Sequence, residues 1–184
     1  MYKDRIDAGE VLAEKLLHLK PEDPLLLAVP RGGVAVAVPI ARRLDAKLSV
    51  LVTRKIGNPL NPEVAIGAVM PDKSAVWDRP AITRLGLTEE KMAHMVETNY
   101  NEIQRRMRSF TGSDKPPHTT DRTVVLIDDG IATGYTIYAA VEWLKTTHPA
   151  KIVIAAPVAP PEVIHNLITE VDEVVCPLQP DDFM

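Results

Sequence analysis

The segment Val124–Thr136, reading VVLIDDGIATGYT, constrains this chain more than any other. Four consecutive apolar residues, three of them β-branched, have no polar face to turn towards water. The strand they form is therefore expected to be buried on both sides. Two carboxylates, Asp128 and Asp129, end it. Small and hydroxylated residues follow (Gly130, Ala132, Thr133, Gly134, Thr136), and then Ile137, Ala140, Val141 and Leu144 recur at helical spacing. A doubly buried strand that runs straight into a helix belongs to a sheet whose crossovers are helical. The predicted fold is α/β: a mostly parallel sheet flanked by helices.

The remaining pattern agrees. Strands are expected at Leu25–Val29, Leu48–Val52, Val64–Val69, Ser74–Trp77, Thr123–Ile127, Ile152–Ala156 and Glu173–Cys176, and helices at Ala8–Leu19, Val34–Leu44, Thr88–Phe110, Thr136–Thr147 and Pro161–Glu170. Thr88 can cap the third helix, with Glu89 and Glu90 in its first turn. The turn Pro71–Lys73 suits a local antiparallel hairpin, and the polar stretch from Thr111 to Arg122 a connector. Met92, Met95, Val96, Tyr100, Ile103, Met107 and Phe110 form one stripe, which fits either core or a subunit interface. A homodimer or higher homo-oligomer is the expectation. With 184 residues, the chain is read as a single domain, 1–184.

Composition excludes several classes. Net charge is −4 and the pI about 5.7, so there is no basic face for nucleic acid. Arg105, Arg106 and Arg108 read as the solvated face of a helix. The longest apolar run, Val34–Ala41, is too short for a membrane span. A single cysteine, Cys176, rules out an internal disulfide and fits a reducing compartment. The charged N-terminus does not read as a signal peptide, so a cytoplasmic location is expected. Five histidines show no metal-ligand spacing, and no direct protein metal site is expected.

The chemistry of the Val124–Thr136 segment follows from its residue types. Backbone N–H groups at a helix start lack intrahelical partners, and the helix dipole adds partial positive charge there. A phosphate fits over Thr133, Gly134 and Thr136, where the threonine hydroxyls add donors. Asp128 and Asp129 accept hydrogen bonds only, which suits vicinal sugar hydroxyls or the waters of a hydrated magnesium ion. Other phosphate loops fit badly. Tyr135 stands where a Walker loop needs Lys, and no G-x-G-x-x-G is present. A phosphatase-like use of the acidic pair would leave the Thr-Gly-x-Thr loop unexplained.

This segment resembles the phosphoribosyl pyrophosphate (PRPP) motif of type I phosphoribosyltransferases: apolar strand, two acids, and a short loop ending in Thr-Gly-x-Thr. Val29–Val34, with Arg31, Gly32 and Gly33, resembles the pyrophosphate loop of the same family, and the resemblance implies an unusual backbone at Pro30–Arg31 or Arg31–Gly32. Thr53–Glu63 stands where the family has a mobile loop that closes over PRPP. Asp4–Ala13, Asn61–Val69 and Ala155–Pro160 look like one bacterial subgroup, whose members usually continue beyond a segment like Pro180–Phe183. The implied fold carries a small hood from the chain ends.

The resemblance also implies roles. Asp128 and Asp129 would hold the ribose hydroxyls, and the loop Gly130, Ile131, Ala132, Thr133, Gly134, Tyr135 and Thr136 the 5-phosphate. Arg31, Gly32 and Lys55 would hold the leaving pyrophosphate, with Arg54 a lesser candidate. Magnesium would be bound through PRPP and water near Asp128 and Asp129. Asp128, Asp129, Lys55 and Arg31 are the expected catalytic residues. The implied reaction moves 5-phosphoribose from PRPP to a nitrogen nucleophile, usually a nucleobase. The alternative is a PRPP-sensing regulator without catalysis. Where enzymes acting on 6-oxopurines carry an Asp near N7 of the base, this chain has Ala132, which makes a hypoxanthine–guanine activity the less expected one.

Overall fold

A computed structural model of the chain describes residues 2–181. The chain divides into two compact units, one from the residues up to Leu51 together with those from Pro117 onward, the other from Val52–Pro116. Where sequence length suggested one domain, the chain leaves the first unit after the second strand of its sheet and rejoins it before the third.

The first unit is a five-stranded parallel sheet. In chain order its elements are helix α1 (Arg5–Lys15), a 3₁₀ turn (Leu17–Glu22), strand β1 (Leu25–Ala28), helix α2 (Gly32–Leu44) and strand β2 (Lys47–Val50). The sheet order is β2, β1, Thr123–Ile127, Lys151–Ala155, Glu173–Val175, with every neighbouring pair parallel. The two strands with wholly apolar runs, Leu25–Ala28 and Val124–Ile127, lie side by side in its interior, and all of their residues are buried. That is the burial their lack of a polar face demands. β2 and Glu173–Val175 form the edges and are only partly buried.

Val36, Ala37 and Ile40 of α2 and Leu12, Ala13 and Leu16 from the α1 region join Leu26, Val125 and Val153 in one core cluster. Helix α1 approaches α2 at Gly9, where a Cβ would come within 2.4 Å of Val36 O and 2.5 Å of Pro39 Cγ. Only a residue without a side chain permits that approach.

The second unit is an antiparallel meander with two helices. Strand β3 (Arg54–Asn58) pairs with β4 (Asn61–Val69), and β4 with β5 (Ala75–Trp77). Helix α3 (Arg79–Leu85) and helix α4 (Glu89–Thr111) follow. The Pro71–Lys73 turn closes the second hairpin, as its composition suggests. The segment Thr53–Glu63, expected as an irregular loop, is instead mostly a two-stranded ribbon with a register shift at Gly57. Arg54 is tied down at its root, with Nε donating to Asn99 Oδ1 at 3.1 Å. The α4 stripe is core at Ile103 and Met107, while Phe110 is exposed.

The rest of the first unit comprises β6 (Thr123–Ile127), α5 (Tyr135–Thr146), β7 (Lys151–Ala155), α6 (Pro161–Ile168) and β8 (Glu173–Val175). The two chain ends meet near Pro157, whose carbonyl accepts from Tyr2 Oη and from Leu178 N–H, each at 3.2 Å. Of the segment Pro180–Phe183, Asp182 and Phe183 lie outside the described residues. No described helix is long and apolar enough to cross a membrane.

Gly9→Ala should destabilise the chain by about 1–3 kcal/mol, because neither a backbone carbonyl nor a proline ring in a packed helix can move aside freely. Urea unfolding that leaves the midpoint unchanged would contradict the α1–α2 approach described above.

Candidate functional site

In the parallel sheet, β1 leads through α2 to β2 on one side, and β6 leads through α5 to β7 on the other. The connections leave in opposite directions, so the carboxyl ends of β1 and β6 flank a switch point, where open α/β sheets hold ligands. The Val29–Gly33 turn and the Asp128–Gly134 loop are the segments that leave those two ends. Parallel pairing of Ala28 with Ile127 therefore brings together the two loops singled out by sequence.

Contact between them is direct. A Cβ on Gly32 would lie 1.9 Å from Asp129 Oδ2, so the Asp129 carboxylate occupies the space a side chain would fill. Gly33 N–H donates to Val29 O at 3.0 Å and Val34 N–H to Arg31 O at 3.2 Å, closing a tight turn. The Pro30–Arg31 peptide within it is cis. The Arg31 side chain is exposed, and among the described residues it makes no hydrogen bond or ion pair.

The acidic pair has a distinct electrostatic character. Asp128 N–H donates to Ala155 O at 3.2 Å, and Asp128 Oδ1 accepts from Asp129 N–H at 2.8 Å. Burial lifts the Asp128 carboxyl from its ordinary 3.8 to about 7, and the Asp129 carboxylate beside it pushes the same way against the pull of that N–H. Asp129 is paired differently. Arg5, from the first turn of α1, places both Nε and an Nη 2.8 Å from Asp129 Oδ2. The sequence marked Asp4–Ala13 by resemblance but assigned Arg5 no role, because its partner lies far along the chain.

Past the acids, the loop is anchored at one point and open elsewhere. Ile131 is buried and its N–H donates to Val158 O at 3.0 Å, so this residue anchors the loop through its side chain. Ala132 and Thr133 are exposed, and Thr136 at the helix start is half-buried. Among the described residues neither threonine hydroxyl has a partner. Gly134 stands before α5 with φ +76°, and no side chain caps the helix. Its first intrahelical bond is Tyr138 N–H to Gly134 O at 2.8 Å, which leaves the N–H groups of Tyr135, Thr136 and Ile137 without helical acceptors. Helix α2 likewise starts without a side-chain cap, whereas α1 is capped by Asp4. Of these two uncapped starts, that of α5 is the one with its first N–H groups free to meet an anion, because Gly33 and Val34 of α2 already donate within their turn. The Tyr135 ring points to solvent, 69% exposed, so the residue serves the loop through its backbone. Lys55 belongs to the second unit, where it lies exposed on β3.

Among the described residues no group of three or more His, Cys, Asp or Glu side chains could hold a metal ion.

Comparison with known proteins shows the family and the fold. Residues 2–181 match the model of the phosphoribosyl transferase domain. The chain belongs to that family. Two Mycobacterium tuberculosis proteins named "Putative phosphoribosyl transferase" are 38% identical over 177 residues, covering 96% of this chain. The chain spans 40% of the length of those relatives. Among solved structures, TT1426 from Thermus thermophilus is 36% identical, with a TM-score of 0.83 over 100% of this chain and 87% of that one. A purine phosphoribosyltransferase from Pyrococcus horikoshii, 21% identical with a TM-score of 0.55 over 100% of this chain and 89% of that one, shares the fold.

A family member that keeps Asp128 with a raised folded-state pKa gives up stability at neutral pH. Below the unfolded value of 3.8 the penalty is absent; it grows as pH rises and is complete above about 7. Asp128→Asn should therefore raise unfolding stability at pH 8, on the order of 1 kcal/mol or more, and much less at pH 4. Thermal melts at both pH values check the sign; equal shifts would mean that Asp128 is not raised.

Proposed function

We propose that the chain grips PRPP at the β1–β6 switch point and transfers its 5-phosphoribosyl group to a nitrogen nucleophile, releasing pyrophosphate. The observation that carries this reading is one loop that joins two acids, each keeping one oxygen without a protein donor among the described residues, to an uncapped helix start. A sugar phosphate asks for both at once: acceptors for its hydroxyls and donors for its phosphate.

On this reading, Asp128 and Asp129 accept the ribose hydroxyls. The N–H groups of Tyr135 to Ile137, with the hydroxyls of Thr133 and Thr136, hold the 5-phosphate. The Arg31 guanidinium and the Gly32 backbone face the pyrophosphate. Lys55 is assigned to the pyrophosphate by family resemblance alone. The sugar carbon gains positive charge as its bond to pyrophosphate breaks, and two carboxylates on the adjoining hydroxyls favour that charge. The protein's work is positioning and charge stabilisation.

Magnesium fits this donor set. Two carboxylates form no cage of their own, but they can hold a magnesium ion through its waters while PRPP oxygens supply direct ligands. When bound, the ion would neutralise pyrophosphate charge. Asp128 and Asp129 are the residues that would hold it.

The acceptor reading rests on Ala132, which is exposed in the loop and carries no group able to accept a hydrogen bond or take a proton. A nucleobase other than a 6-oxopurine fits that surface better.

Asp128→Asn combined with Asp129→Asn should abolish PRPP binding in calorimetry while far-ultraviolet circular dichroism stays unchanged; retained affinity would refute the grip. A panel of bases with PRPP and magnesium, read by pyrophosphate release, should show turnover with at least one base and little with hypoxanthine or guanine. Tight PRPP binding without release across the panel would make the chain a sensor.

A further inference from the structure

Arg5 is poorly placed for a helix residue. It opens α1, where the helix's exposed N–H groups and dipole disfavour a cation. The acids beside it are engaged elsewhere: Asp4 Oδ1 accepts from Asp7 N–H at 2.8 Å, and Asp7 Oδ2 from Lys3 N–H at 3.0 Å. Its side-chain partner is Asp129, 124 positions along the chain. Both Arg5 donors converge on Oδ2 of that carboxylate, the oxygen that also lies nearest the missing Cβ of Gly32. Asp129 is thus held by a guanidinium and packed against a backbone with no Cβ. Among the described residues no protein donor meets Asp129 Oδ1 or Asp128 Oδ2.

We propose that Arg5 is the positioning residue of the acidic pair, fixing Asp129 through Oδ2 so that Oδ1 and Asp128 Oδ2 face the ribose hydroxyls. The inference rests on the PRPP reading and adds to it a residue outside every segment to which that reading assigns a role.

The physical case has two parts. First, a carboxylate free to rotate must be ordered when a hydroxyl arrives, and a preset one need not be. The docking of α1 on α2 through buried Ala8, Gly9, Leu12 and Ala13 holds the backbone from which Arg5 reaches. Second, two adjacent carboxylates repel each other and repel a strongly anionic donor. One guanidinium on the pair reduces both effects without occupying the oxygens that accept. The ion pair is not there for stability. The Arg5 side chain is 62% exposed, and pairs so open to water contribute little to folding.

A competing role for the same contact is a latch: Arg5 would cover Asp129 in the free chain and have to leave before PRPP binds. The two roles predict opposite signs on removal of Arg5. A positioning residue strengthens donor binding, whereas a latch weakens it.

The test compares wild type, Arg5→Ala and Arg5→Lys by calorimetry with PRPP and magnesium, and then with ribose 5-phosphate against 2-deoxyribose 5-phosphate. Arg5→Ala should weaken PRPP binding at least tenfold with an unchanged melting temperature. It should also shrink the wild type's preference for the sugar that keeps its 2-hydroxyl. Arg5→Lys, which keeps a charge but loses the fork, should recover part of both losses. A wild-type chain that binds PRPP beside an Arg5→Ala variant that binds equally well or tighter would overturn the role of Arg5 and leave the site assignment intact. A wild-type chain indifferent to PRPP would sink the site assignment, and this role with it.

Discussion

The parallel pairing of β1 with β6 is the interaction on which the rest depends. These strands come from distant parts of the chain, yet register Leu25 against Val124 and Ala28 against Ile127 leaves their carboxyl ends level. A shift of one residue would turn the buried side chains of one strand to the opposite face. It would also part Gly32 from Asp129. Because both strands are buried on both faces, hydrophobic packing of the sheet interior fixes the register, and the register fixes the site. The polar residues of the two loops are thus placed by residues that take no part in the chemistry.

The site in turn carries electrostatic and hydrogen-bond costs that the core must offset. Asp128 ionises only near pH 7 because burial and its neighbour oppose the charge. The N–H groups at the start of α5 and the hydroxyls of Thr133 and Thr136 lack partners within the described chain. Each of these would be worth satisfying if stability were the only demand. What they share is that a sugar phosphate would satisfy all of them together, hydroxyls against the acids and phosphate oxygens against the N–H groups.

Much of this was legible in the sequence because the signals are local. Four apolar residues, two acids and a glycine-threonine loop lie within thirteen consecutive positions, so strand, turn and helix could be placed with the site upon them. The hairpin at Pro71–Lys73 and the Thr88 cap were readable for the same reason. What escaped was of two kinds. Helix α3 carries its own local marks, with Asp78 accepting from Ala81 N–H at 3.0 Å and Gly86 ending it at φ +60°, but it is too short to show a clear apolar period. Strand β3 reads as loop because Arg54, Lys55, Gly57 and Asn58 are poor strand formers. Pairing with β4 outweighs their propensity. Arg5 escaped for a different reason: its meaning lies in a contact with a residue far away in sequence, which no window of neighbouring residues contains.

That division also separates the two halves of the proposed reaction. Every group assigned to the ribose and its 5-phosphate lies in one unit and, apart from Arg5, in the loop that leaves β6 and the helix start it opens. The donor end of the chemistry is therefore compact and local, which is why it could be read as a motif. The acceptor end is not. At Ala132, the loop position from which a 6-oxopurine could be addressed, the side chain offers a methyl group in place of a carboxylate. On the proposed reading, recognition of a nitrogen nucleophile falls to groups outside residues 128–136, and those are set by tertiary placement. On that same reading, thirteen residues carry the donor grip, while the choice of acceptor depends on contacts the sequence spreads much more widely.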